Sequence, residues 1–215
     1  MTSSIRVRRH PFASPEARHL ITLLEADLAA MYPDWDDIPH GGMEHWKNPK
    51  PPNEVASSDD PGAKTDDDAC LNEKARLAKD VEDGVVFFVA LKPTDDCEDD
   101  TQGRVGCGAL RLFSPINPLP SELDSKLRYA EVKRMFVEKS FRGVGVSKLI
   151  LAELEKFAKE ELAVDSLVIE VGLRQKAAVR LYDGAEYVRR DMFGEYVGAG
   201  KEDGGESICL EKRLR

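Results

Sequence analysis

Residues Tyr129 to Phe157 read YAEVKRMFVEKSFRGVGVSKLILAELEKF, and no other stretch constrains the fold as strongly. A strand-like run, Ala130 to Val137, leads to two glycines, Gly143 and Gly145, and straight into an apolar stripe at helical spacing. Val146, Leu149, Ile150, Leu154, Phe157, Ala158 and Leu162 form that stripe, while Lys148, Glu155, Lys156 and Lys159 fall largely outside it. SLVIEVG, Ser166 to Gly172, then reads as a mostly apolar, β-branched strand, as expected where a parallel neighbour and helices cover both faces. Strand, glycine turn, helix and strand make a right-handed βαβ unit.

The remaining elements arrange themselves around this unit. Ser14-Pro15-Glu16 is an N-cap, a first-turn proline and a first-turn acid, and predicts a helix to about Met31 with Leu20, Leu23, Leu24, Ala26 and Leu28 among its apolar positions. Pro33 ends it. Residues 34–69 are rich in Pro, Gly, Asp and Ser and are expected to form a long acidic loop or insertion within one domain spanning 1–215. A short helix is expected from Asn72 to Asp80, and another near Leu123. VVFFVALK (85–92) and RVGCGALRLF (104–113) read as an antiparallel strand pair. Gly106 and Gly108 strip one face of the second strand, which admits either another backbone or a ligand. QKAAVRLYDGAEY supplies a last helix, and 206–214 a last strand.

Charge narrows the class of partner. The 31 Lys and Arg against 40 Asp and Glu leave a formal charge of −9. Between Asp59 and Asp100 there are 14 acids and 5 bases, a difference that accounts for the whole excess. No basic face is left for nucleic acid, whereas an acidic flank suits a cationic substrate or simply a solvated loop. No apolar run approaches the ~20 residues of a membrane span, and MTSSIRVRRHPF lacks the apolar core of a secretory signal, so a cytoplasmic location, or a nuclear one, is expected. Cys70, Cys97, Cys107 and Cys209 form no CxxC pair and read as reduced structural thiols. His40 and His45, in HxxxxH spacing without a third ligand nearby, do not make a metal site.

Glycines ahead of a helix let backbone amides and the positive end of the helix dipole face an anion, and Arg142, with Lys148, adds fixed charge. The Walker pattern is absent, and GxGxxG fails because Lys148 stands where its third glycine belongs. The text around the turn is more specific. Arg142-Gly143-Val144-Gly145-Val146-Ser147 resembles the acetyl-CoA signature R/Q-x-x-G-x-G/A of the GNAT superfamily of N-acetyltransferases, with Ser147 departing from Gly or Ala. QKAAVRLYDGAEYV is similar to the late motif of the same family through Gln175, Ala178, Leu181, Tyr182 and Tyr187, with Glu186 replacing a glycine.

The resemblance covers nearly the whole chain and implies an α/β (α+β) GNAT fold. That fold has a mixed central sheet of six to seven strands, a splayed pair formed by the fourth and fifth, and about four flanking helices. It implies acetyl-CoA as cosubstrate, bound by Met135, Phe136 and Val137 on the splayed strand, by Arg142, Gly143, Val144, Gly145, Val146, Ser147 and Lys148 at the turn, and by Gln175. The amide of Met135 would face the thioester oxygen. Glu131 matches a glutamate base of several members, and Tyr182 the proton donor to the leaving thiolate. Read from residues alone, Glu131 is equally a carboxylate paired with Lys133 or Arg134. No enzyme nucleophile is needed, so Cys107 and Cys209 are expected to be dispensable.

The acceptor site implied by the resemblance falls at Tyr32 to Trp46 and Phe193 to Gly205, with Tyr32, Asp34, Trp35, Glu131 and Tyr196 as substrate-binding residues. Acids beside aromatic rings favour a small cationic amine, with a polyamine such as spermidine leading. Acetylation of protein lysines or N-termini, and a silent acyl-CoA-binding module, stand as alternatives; a homodimer is compatible with either enzyme.

Overall fold

The computed structural model describes residues 5–32, 66–92, 103–114, 117–198 and 207–214. Among these residues seven strands form one sheet in the order β1-β2-β3-β4-β5-β7-β6: β1 (Arg6–Arg9), β2 (Val85–Leu91), β3 (Arg104–Leu112), β4 (Tyr129–Val137), β5 (Ser166–Gly172), β6 (Val188–Arg190) and β7 (Ser207–Arg213). Four helices among the described residues flank it: α1 (Pro15–Met31), α2 (Asp66–Glu82), α3 (Val146–Glu160) and α4 (Lys176–Gly184). Every neighbouring pair is antiparallel except β4 and β5, the two strands that α3 connects. This mixed sheet of seven strands with four flanking helices is the arrangement that the resemblance implies.

Local chemistry sets the boundaries. The Ser14 hydroxyl accepts from the Ala17 amide at 3.0 Å and Pro15 occupies the first turn, so α1 starts where the cap is satisfied. Ala17, Leu20, Ile21 and Leu24 then fall on one stripe and bury against Phe87, Val89, Cys107 and Ala109. The opposite face of the sheet takes Ile150, Leu151, Leu154 and Ala158 of α3 against Val86, Phe88, Val132 and Leu167. A third, smaller group under β6 and β7 joins Tyr129, Val168, Phe193 and Cys209.

Two sequence expectations need correction, and a third is narrowed. The segment around Leu123 is a series of turns, each closed by one backbone bond such as Leu123 N–H to Pro120 C=O at 3.0 Å, and not a helix. The helix expected from Asn72 begins at Asp66, so residues 66–69 of the expected loop are helical; residues 33–65 lie outside the described residues. At Gly106 and Gly108, where a backbone or a ligand was expected to come close, protein does: a Cβ on Gly108 would sit 2.7 Å from both Ile150 Cγ2 and Met135 Sδ, and one on Gly106 would sit 2.6 Å from the Phe136 carbonyl. α3 needs those missing side chains to lie this close to β3.

Two irregularities in β4 create the site. Pairing with β5 covers only Tyr129–Ser166, Ala130–Leu167 and Glu131–Val168, after which the strands part. On the other side the register to β3 jumps from Cys107–Phe136 to Ala109–Lys133, so Arg134 and Met135 together face Gly108. This is a β-bulge, and Arg134 takes a left-handed φ of 55° to make it.

Candidate active site

A cleft of about 390 Å³ opens where the strands part. Met135, Phe136 and Val137 of the bulged strand line one side. Arg142, Gly143, Val146 and Ser147 line the turn into α3, and Gln175 and Tyr182 the α4 side. These residues, expected from sequence to serve one cofactor, are brought together. Val144, Gly145 and Lys148 do not line the cleft: Val144 is 48% exposed, Lys148 is exposed, and Gly145 forms the N-cap of α3.

The turn has the properties of an anion cradle. Gly143 and Gly145 adopt φ of 79° and 93°, a region that disfavours side chains, and nothing lies within 4 Å of where a Cβ on Gly143 would be. Gly145 offers no side chain to cap the first amides of α3, which leaves them for a ligand. The residues present therefore fit a diphosphate. Arg142 donates from Nε to the Val137 carbonyl at 2.8 Å, and its guanidinium also pairs with Asp27 of α1. Burial pushes the Asp27 carboxyl up, but hydrogen bonds from Arg142 and Lys139 outweigh it and hold its pKa below the usual range. Asp27 itself lines the cleft, so it offsets the positive charge of Arg142 there. Asp27→Asn is expected to tighten acetyl-CoA binding by up to about fivefold, the scale of an exposed ion pair, and to steepen its salt dependence. Calorimetric titration at two salt concentrations checks this; weaker binding would show that Asp27 orients Arg142 instead.

Tyr182 is buried at 4% exposure, with its ring edge-on to Tyr187 at 5.6 Å. Burial, and then the charge of Glu170, push its phenol pKa up, so it stays protonated at neutral pH with a proton to give. Burial also raises both described thiols, Cys209 to about 11 and Cys107 further, so neither presents a thiolate near pH 7.

Glu131 lies outside the cleft, on the face of the sheet that carries α1. It is 0% exposed, and Lys133 Nζ stands 2.9 Å and Arg111 Nη1 3.3 Å from its two oxygens. The Tyr196 hydroxyl donates to it at 2.7 Å, and Lys133 donates in turn to that hydroxyl. Of the two cationic partners considered for Glu131, Lys133 is observed; Arg134 points instead to Glu25 at 3.5 Å. Arg111 also binds Glu195 at 2.7 Å, and Asn117 holds its other donors at 2.7 and 3.1 Å. Tyr32 caps α1, with its hydroxyl over Gly172 and Arg174 above its ring at 5.3 Å. Asp34 and Trp35 lie outside the described residues.

Arg111, Asp27 and Glu170 escaped the reading of the sequence. Arg111 is the one charge inside the otherwise apolar run of β3 beyond Arg104 at its start, and Glu170 the lone charge of SLVIEVG, which was the available signal; Asp27, on an ordinary polar helix face, gave none. Among the described residues no group of three or more metal-capable side chains occurs, and no helix is long and apolar enough to cross a membrane.

The family model described as "Acetyltransferase (GNAT) family" matches residues 43–185, well over half of the chain. An Azospirillum brasilense protein named IAA acetyltransferase is 32% identical over 92 residues, 43% of this chain and 52% of that protein. The match thus spans about half the length of the curated relative. Among solved structures, a Klebsiella pneumoniae protein provisionally described as an acyl-CoA N-acyltransferase superposes with a TM-score of 0.56 at 21% identity, covering 98% of each chain. Spermidine N-acetyltransferase from Vibrio cholerae, in complex with CoA and spermine, superposes at 0.53 with 14% identity over 99% of this chain and 96% of that one. At such identities the likeness is one of fold.

Proposed function

Because this chain belongs to the GNAT acetyltransferase family, we propose that it carries the acetyl group of acetyl-CoA directly to a primary amine of a small molecule. The observation that carries this reading is the single cleft lined by the open glycine turn, the bulged strand and the Tyr182 phenol. Arg142 and the first amides of α3 hold the diphosphate, and the free edge of β4 from Met135 to Val137 aligns the pantetheine arm. When bound, acetyl-CoA supplies a thioester whose C–S bond breaks as the C–N bond forms, sulfur leaving with the electron pair. The Met135 amide, which the register to β3 skips, faces the oxygen where negative charge develops. Tyr182 gives its proton to the sulfur.

The acceptor must first lose a proton, since an amine of pKa about 10.4 is neutral in only about one molecule in 2,500 at pH 7. The cluster anchored by Glu131 supplies the carboxylates. Glu131, Glu170 and Glu195 outnumber the cations Arg111 and Lys133, and an excess negative charge favours an ammonium ion. Tyr32 and Tyr196 form the acceptor-side walls in this reading, and the spermine of the Vibrio neighbour makes polyamines the first acceptors to try.

Thiol release from acetyl-CoA over a panel of spermidine, shorter diamines, IAA, and peptides with lysine or a free N-terminus tests the proposal. Turnover on small amines but not on peptides is expected. Turnover confined to peptides would reverse the acceptor class, and thermal stabilisation by acetyl-CoA without turnover on any amine would favour a silent binding module.

A further inference from the structure

The one charged residue of β5 stands where the transferase reading needs a base. Glu131 and Val168 form the last rung between β4 and β5, so the face of the sheet that carries Glu131 continues along β5 through Val168, Glu170 and Gly172. Cys209, opposite Glu170 on β7, packs with Val168 and Tyr129 on that same face. One step further along, the Tyr32 hydroxyl covers Gly172, and a Cβ there would also lie 3.4 Å from the Gln175 side-chain nitrogen. Glu170 thus lies between the Glu131 cluster and the Tyr32–Gln175 edge of the cleft, just past the point where the strands separate. Its charge acts on Tyr32 and Tyr182 on one side and interacts with Lys133, Glu131 and Glu195 on the other.

Accessibility separates these carboxylates. Glu131 has no exposed surface, and both its oxygens are occupied by Lys133, Tyr196 and Arg111. Glu195 is held by Arg111 at 2.7 Å. Glu170 keeps contact with solvent, its hydrogen-bond partner is the neutral Ser207 of β7, and among the described residues no cation lies within ion-pair distance of it. Of the three, Glu170 is thus the carboxylate that no cation engages among the described residues.

We infer, on the premise of the transferase reading, that Glu170 rather than Glu131 is the general base. The ammonium N–H bond breaks, its electron pair stays on nitrogen as the nucleophile, and the proton passes to the Glu170 carboxylate directly or through one water. Glu131 is a positioning residue: by engaging Lys133 and Arg111 it keeps both from neutralising Glu170.

The surroundings set the pH range. Burial raises the Glu170 pKa and is joined by Glu131 on β4 and Glu195 beyond β6; Lys133 on β4 and Ser207 on β7 pull it down without prevailing. Tyr32 and Tyr182 are neutral phenols, and the Cys209 thiol ionises only near 11. Arg111 is engaged by Glu131 and Glu195, and Arg174 lies over the Tyr32 ring. A raised carboxyl holds its proton to higher pH, so activity is lost as pH falls through a value above the ordinary glutamate range of about 4.3.

Glu170→Gln, measured with the best amine of the panel, decides the matter. At pH 7 the variant is expected to lose about 10²–10⁴-fold in kcat/KM while its acetyl-CoA affinity stays within about twofold of wild type. The pH profile carries a signature that a structural role would not produce. Wild type should rise to a plateau above the Glu170 pKa, whereas the variant, needing an already neutral amine, should climb with unit slope toward about 10.4. Glu170→Asp should keep the plateau at a reduced rate. A Glu170→Gln enzyme with wild-type kcat/KM and an unchanged plateau overturns the inference alone. A wild-type protein that binds acetyl-CoA yet acetylates no amine overturns the transferase reading, and the inference with it.

Discussion

Glu131→Ala is expected to cost about 3–5 kcal/mol of unfolding free energy, because it removes the anion that holds two part-buried cations in place. Arg111 and Lys133 side chains are only 15% and 16% exposed, and Glu131, at 0%, is the carboxylate they share. The Tyr196 hydroxyl, which donates to Glu131 at 2.7 Å, would lose its acceptor as well. Glu195 can retain Arg111, whereas among the described residues Lys133 pairs with no other carboxylate. For a chain of this size the loss corresponds to a fall in Tm of roughly 6–20 °C. Urea unfolding with an unchanged m-value measures it, and a cost below about 1 kcal/mol would mean that the cations swing into solvent at little expense. Glu131→Gln, which keeps the volume and the acceptor oxygen for Tyr196, should cost distinctly less than the alanine variant.

The second large effect falls on turnover. Tyr182→Phe should lower kcat by about 10²–10⁴-fold, the usual worth of a positioned proton donor, and leave the acetyl-CoA Kd within about twofold. The ring remains to pack on Tyr187, and among the described residues no group hydrogen-bonds to the lost hydroxyl, so stability should hardly change. The leaving thiolate is comparable to a thiol of pKa about 8.5, so losing its donor should hurt most with acceptors whose attack is already fast. Separate measurement of Kd and kcat checks the division. Wild-type turnover in the variant would remove Tyr182 from the mechanism and leave solvent as the proton source.

Both effects depend on placement that local patterns cannot encode. The αβ order, the helix start at Ser14-Pro15, the exact span Ser166–Gly172 and the anion-binding turn at Gly143 and Gly145 all follow from capping, periodicity and glycine chemistry within a few neighbouring residues. The residues expected to hold the cofactor were legible for the same reason: all but Gln175 lie along β4 and the turn that follows it. Where motif and packing diverge the sequence was a weaker guide. Val144 belongs to the motif and Lys148 follows it, yet both are exposed, because a helix start exposes side chains that do not face the sheet.

What the sequence determined by itself was the βαβ unit with its anion cradle, since these arise from bonds and dihedrals between near neighbours. What only the tertiary structure decided was the role of each charge. Arg111 meets Glu131 across a strand pair and Glu195 across 84 positions, Asp27 reaches Arg142 across 115, and the bulge at Arg134 and Met135 shows itself only as a jump in register. Whether a glutamate is a fully buried counter-ion, like Glu131, or a part-buried carboxylate beside a gap, like Glu170, depends on which strands stay paired and which part. Desolvation and Coulomb interaction are set by distance in space, and distance along the chain does not carry that information.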